Sequence, residues 1–159
     1  MKKPKVKDFI FNNRRRIKFV FFIVYYLFIV CYTLLARKQS PYHKIDLRFM
    51  WAYREMLTGN PNWRMDVLQN IFNILFFVPF GFSFPHSFVK RLSDKFKSKE
   101  WFVVLCSGFV FSALIEITQY VTRLGLCELD DVICNSLGAL TGYGLLKVMI
   151  SFSEKESNN

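Results

Sequence analysis

Four apolar runs, Ile17–Ala36, Val67–Phe84, Trp101–Tyr120 and Val132–Ile150, dominate this 159-residue chain. Each is close to the roughly 20 residues that a helix needs to cross a bilayer. In hydrocarbon only a form that pairs its own backbone N–H and C=O groups is stable, so each run is expected to be helical. The predicted fold is all-α, a polytopic membrane bundle of four transmembrane helices. Hydrophobic residues make up 52% of the chain and it carries 19 Phe, more apolar surface than a soluble domain of this size has interior to hold. The chain divides into a basic N-terminus (1–16), one four-helix domain (17–150) and a polar tail (151–159). The first run exceeds a signal-peptide core and no small-residue cleavage site follows it, so it is taken as a retained span.

The formal net charge of +10 is shared among the segments between spans, which argues against nucleic acid as a partner. Cytoplasmic loops are enriched in Lys and Arg. Placing both termini in the cytoplasm puts fifteen of the 22 basic residues on that side. The basic loop Phe88–Glu100 is then cytoplasmic. Cys31 and Cys106 lie inside apolar runs. Cys127 and Cys134 flank an acidic loop and are either bonded in an oxidising compartment or, the plainer reading, free like the other two. His43 and His86 are isolated. No metal site or cofactor is implied.

In the connection Arg37–Asp66, Ile45, Phe49, Tyr53 and Met56 recur at helical spacing, with Asp46, Arg48, Arg54 and Glu55 mostly elsewhere. This suits a short amphipathic helix lying in the outer interface, or one packed over the mouth of the bundle. It is expected to break at Thr58–Asn62. In the second span Asp66, Asn70 and Asn73 share a face. Pro79 deprives Leu75 of its helical partner, so a kink or end is expected near Phe77, and Pro85 is expected to end the helix.

Ionisable groups within apolar segments usually face protein and have partners. Ser112, Glu116, Gln119 and Arg123 fall on one stripe of the third span, taken as a helix that projects to Arg123. Asp130, Asp131 and Asn135 open the fourth. One aspartate suits a helix cap, which leaves the other for Arg123 or Arg48. Gly138 and Gly142 form a GxxxG pair that permits close helix approach, within the chain or in a homo-oligomer.

The blocks NIFNILFFVPFGF (Asn70–Phe82), EITQ with Arg123, and DDVICNSLGALTG (Asp130–Gly142) together resemble the VanZ-like family, over about half the chain. The first connection matches less closely, because the FMWAY segment lacks the family's proline. The resemblance implies a multi-pass protein of the bacterial cell membrane, linked with reduced susceptibility to teicoplanin and related lipoglycopeptides. It implies motif positions (Asn70, Asn73, Glu116, Gln119, Arg123, Asp130, Asp131 and Asn135) without roles.

Three readings stay open. The first is a non-enzymatic protein binding an amphipathic molecule at an outward polar patch. Its ligand would be a membrane lipid, a lipid-linked cell-wall precursor or a lipoglycopeptide, with Arg48, Arg54 and Arg123 meeting an anionic head. The second is an intramembrane enzyme using Glu116 with Asp130 or Asp131 on a polyprenyl-linked lipid; no nucleophile or phosphate-cradling loop accompanies them. The third is a structural or interaction subunit of an envelope complex.

Overall fold

The computed structural model describes residues 6–35, 39–59, 61, 63–87 and 99–157. In chain order these form α1 (Val6–Leu35), β1 (Lys44–Asp46), α2 (Trp51–Thr58), α3 (Trp63–Ser87), α4 (Glu100–Thr122), β2 (Leu126–Glu128) and α5 (Leu129–Ser157). Most of the basic loop, residues 88–98, lies outside the described residues, as do 1–5 and 36–38.

The α3, α4 and α5 helices are long and apolar enough to cross a membrane, whereas the apolar stretch of α1 is the shorter Phe19–Leu34. Every helix exceeds its apolar run, because polar residues at the water-side turns remain helical. The all-α expectation is corrected at one place. Strands β1 and β2 pair in parallel, with Lys44 opposite Leu126, Ile45 opposite Cys127 and Asp46 opposite Glu128. Consequently Ile45 belongs to a strand and Phe49 precedes α2, so the amphipathic helix is confined to eight residues. It stops at Gly59, whose φ of 78° suits a residue without Cβ and whose N–H donates to the Glu55 carbonyl.

The helix end expected near Phe77 is overturned, as is the stop expected at Pro85. Helix α3 continues through Pro79 and Pro85 to Ser87. Side-chain hydroxyls bond other carbonyls of this stretch. Tyr25 of α1 donates to Phe76 O, and Ser83 donates to Pro79 O at 2.6 Å.

Pairing of α3 with α5 is the tightest contact in the bundle, and glycine makes it possible. A Cβ on Gly138 would sit 2.2 Å from Ile74 O, one on Gly142 1.9 Å from Val78 O, and one on Gly81 1.6 Å from Ala139 O. Lipid is as apolar as a side chain, so close backbone packing of this kind holds membrane helices together. The GxxxG pair therefore faces α3 of the same chain. Around this seam Tyr26 stacks edge-on against Phe80 and Phe111, with centroids 5.2 and 4.9 Å away. Phe77, Val104, Ile115 and Ala139 complete the core.

The bundle has two unlike ends. One gathers the C-termini of α1 and α4, the N-termini of α3 and α5, the strand pair and α2. At the other, Lys147 of α5 pairs with Glu100 of α4 at 2.6 Å.

Candidate functional site

The end that carries the strand pair holds nearly all the buried polar side chains. Asn70, Ser112, Glu116, Gln119, Glu128, Asp130, Asp131, Asn135 and Ser136 are all buried. Three elements deliver them: the first turns of α3, the last turns of α4, and the run from β2 into the first turns of α5.

Asp130 and Asp131 sit in the first turn of α5, where the helix dipole favours negative charge. Their oxygens accept from other elements rather than from their own helix end alone. Asn73 donates to Asp131 Oδ1 at 2.6 Å, and Gln69 donates to the same oxygen at 3.3 Å. Gln69 also donates to Glu128 Oε2 at 2.7 Å. The backbone N–H of Glu128 donates to Glu116 Oε2 at 2.9 Å. Below these, Asn135 donates to Ser112 Oγ at 2.8 Å. Accepting these hydrogen bonds offsets part of the cost of burying the carboxyl groups.

The Gln119 amide can be oriented two ways. One donates only to Thr33 O at 3.3 Å. The other donates to both Leu126 O and Glu116 Oε2, each at 3.3 Å. The second is favoured, because it meets two acceptors, one of them a carboxylate. Gln119 thereby joins Glu116 in holding β2.

Arginines lie apart from this network. Helix α4 ends at Thr122, and Arg123 is its C-cap with φ of 59°. The expected stripe accordingly stops at Gln119, and the Arg123 guanidinium turns to Pro41 O at 3.4 Å. Arg48 donates to both Asp46 oxygens, through Nε to Oδ1 at 3.0 Å and through Nη2 to Oδ2 at 2.5 Å. That guanidinium holds the Asp46 carboxyl below the usual carboxylate range. Arg48 also lies over the Trp51 ring, 5.3 Å from its centroid, on the outer side of α2. Asp66 is half-buried in the first turn of α3.

The segment from Gln39 to Thr58 lies across this end as a strap. Ser40 N–H donates to Arg123 O at 2.8 Å, and His43 Nδ1 lies 2.7 Å from Tyr120 O. Strand β1 then pairs with β2, and Met50 N–H donates to Asp130 Oδ1 at 2.5 Å. Ala52, 1% exposed, anchors α2 on the bundle. Burial raises the Tyr53 phenol above its ordinary range, with Cys134 and Asp130 adding to the effect. All four cysteines are free thiols. Among the described residues, no three His, Cys, Asp or Glu side chains come together as metal ligands do.

Glu128 and Gln69 are central here, yet sequence reasoning passed over both. A signal for Gln69 exists, since Gln69, Asn73, Phe77 and Phe80 follow one helical stripe. Toward the membrane interior, an open groove of ≈ 510 Å³ runs between α1, α3 and α4, lined mainly by Phe22, Tyr26, Phe80, Phe84, Val110, Phe111 and Leu114. Chemically, the strapped end offers carboxylate and amide groups, and the aromatic groove lies deeper, toward the Lys147–Glu100 end.

No curated protein and no solved structure matches this chain. The profile of the VanZ/LLP1 family matches residues 22–150, a region that takes in the Asn70–Phe82 block, Glu116 and Gln119, and the Asp130–Gly142 block. By that match and by its membrane-spanning helices, the chain belongs to the VanZ/LLP1 family.

Proposed function

We propose that this protein lowers susceptibility to teicoplanin-type lipoglycopeptides without catalysing a reaction, by binding an amphipathic envelope molecule at the strapped end of the bundle. The polar head lies among the carboxylates and amides of α3, α4, β2 and α5. Its acyl or polyprenyl tail follows the aromatic groove beside α1, which acts as the fourth crossing. The observation that carries this reading is a buried carboxylate–amide network at the strapped end of a bundle that also carries, deeper along α1, α3 and α4, a lipid-sized apolar groove. The Lys and Arg distribution supports an outward-facing site with both termini cytoplasmic. Head-group selection falls to acceptor oxygens and amides rather than to arginines, because Arg48 and Arg123 point to Asp46 and Pro41.

The test compares teicoplanin susceptibility, lipid binding and folded protein level in cells making the wild type, Glu116→Ala or Asp131→Ala. Variants that insert normally should lose protection and binding together. Unchanged susceptibility in a correctly inserted variant defeats the reading. A fall in protection that only tracks the amount of folded protein assigns the network to structure instead.

A further inference from the structure

The outer side of α2 carries a group of residues that the buried network does not use. Trp51, Arg54, Glu55 and Thr58 recur at i, i+3, i+4 and i+7, so they form one stripe of the helix. Together with Arg48, three residues before Trp51, they line a cavity of ≈ 210 Å³. Asp46 accepts from Nε and Nη2 of Arg48 and fixes that guanidinium over the Trp51 ring, 5.3 Å from its centroid. Nη1 of Arg48 is not engaged by Asp46. Arg54 is exposed and belongs to no ion pair among the described residues. Leu47 adjoins Arg48 in the chain and Leu57 lies one turn on from Arg54, and they are 64% and 82% exposed. Arginines, a tryptophan and outward leucines on one short segment suit the boundary between lipid head groups and acyl chains.

We propose that this cavity seats the phosphodiester group of a phospholipid from the leaflet at the strapped end, with its chains alongside Leu47 and Leu57. Arg54 offers its whole guanidinium to the phosphate oxygens, and Arg48 adds Nη1. The lining holds two guanidinium groups and one carboxylate, a balance suited to the single negative charge of a phosphodiester. The site is separate from the network beneath α2 and does not depend on what that network binds. A lipid held there pins α2 to the bilayer surface, and with α2 the strap that covers the mouth of the bundle.

Full-length protein with Trp63→Phe and Trp101→Phe keeps Trp51 as its sole indole reporter. In maltoside micelles, which hold no phosphate, it is titrated with dihexanoyl phosphatidylglycerol, with dihexanoylglycerol and with glycerophosphoglycerol. These are the whole lipid, its chains without the phosphate, and its head without the chains. Trp51 emission should saturate with the whole lipid, and the other two should bind at least tenfold more weakly. Arg54→Gln should weaken the Kd for the lipid at least tenfold. Glu55→Gln, which takes the carboxylate from the lining, should bind at least as tightly as the parent, a gain that damage to α2 would not produce. Circular dichroism establishes that each variant is folded. Undiminished lipid affinity in Arg54→Gln, or a loss in Glu55→Gln as large as in Arg54→Gln, overturns the site. So does equal binding of the chains or of the head alone, and so does the absence of saturation.

Discussion

Glu116 reaches out of a membrane helix to accept a backbone N–H from the loop that follows it. Removing that carboxylate takes the acceptor from a buried donor, which ordinarily costs about 1–3 kcal/mol. Glu116→Ala should therefore lower unfolding stability in mixed micelles by that order, and Glu116→Gln, which retains an oxygen, by less. Cys127 offers a pH-dependent readout of the same surroundings. Burial, and then the Glu116, Glu128 and Asp131 carboxylates, raise its thiol above the ordinary value. The thiolate is the reactive form. At pH 8 its alkylation by N-ethylmaleimide should be slower than that of an exposed thiol, and the rate should still climb beyond pH 9. A rate that levels off near pH 8.5 contradicts this. Much of the network was legible residue by residue, since Asn73, Glu116, Gln119, Asp131 and Asn135 carry polarity where an apolar span would have none. Arg123 was misplaced because one left-handed backbone angle ends α4 just before it. Glu128 escaped because a carboxylate in a loop ordinarily signals solvent, and only the tertiary structure buries it.

At the scale of elements, the α3–α5 seam rests on backbone contact. Gly142→Ala places a methyl group against Val78 O and should force the helices apart, costing about 1–3 kcal/mol or more. Gly144→Ala meets no atom within 4 Å and should hold or slightly raise the unfolding midpoint, because Ala is the better helix former, which makes it the control. The parallel strands provide a second test. Ile45 stands opposite Cys127, so Ile45→Cys should form a disulfide under mild oxidation and fasten the strap to β2. The product is read as a mobility shift reversed by reductant. The three long spans α3, α4 and α5 were legible from apolar length alone, and the GxxxG spacing from small residues one turn apart. The strand pair was not, because three residues are too few for a period-two pattern and the partner lies far along the chain. Pro79 misled for a physical reason: local chemistry predicts a break, while Tyr25 and the clamp against α5 support a continuous helix.

For the molecule as a whole, the two ends must lie on opposite sides of the bilayer. In a cysteine-free background, single cysteines replacing Tyr42 and Gly125 should share one accessibility, and one replacing Lys99 the opposite. The Lys and Arg bias predicts that the first pair reacts with an impermeant maleimide on intact cells. Labelling of position 99 instead inverts the orientation and the site with it. The strand register also dictates an order of assembly. Strand β1 leaves the ribosome early, but its partner is translated only after α3 and α4. Closure of the mouth therefore waits until the last helical hairpin has entered the bilayer. A nascent chain stalled before Leu126 carries the strap without its seat, and the strapped end is finished only when biosynthesis is nearly complete.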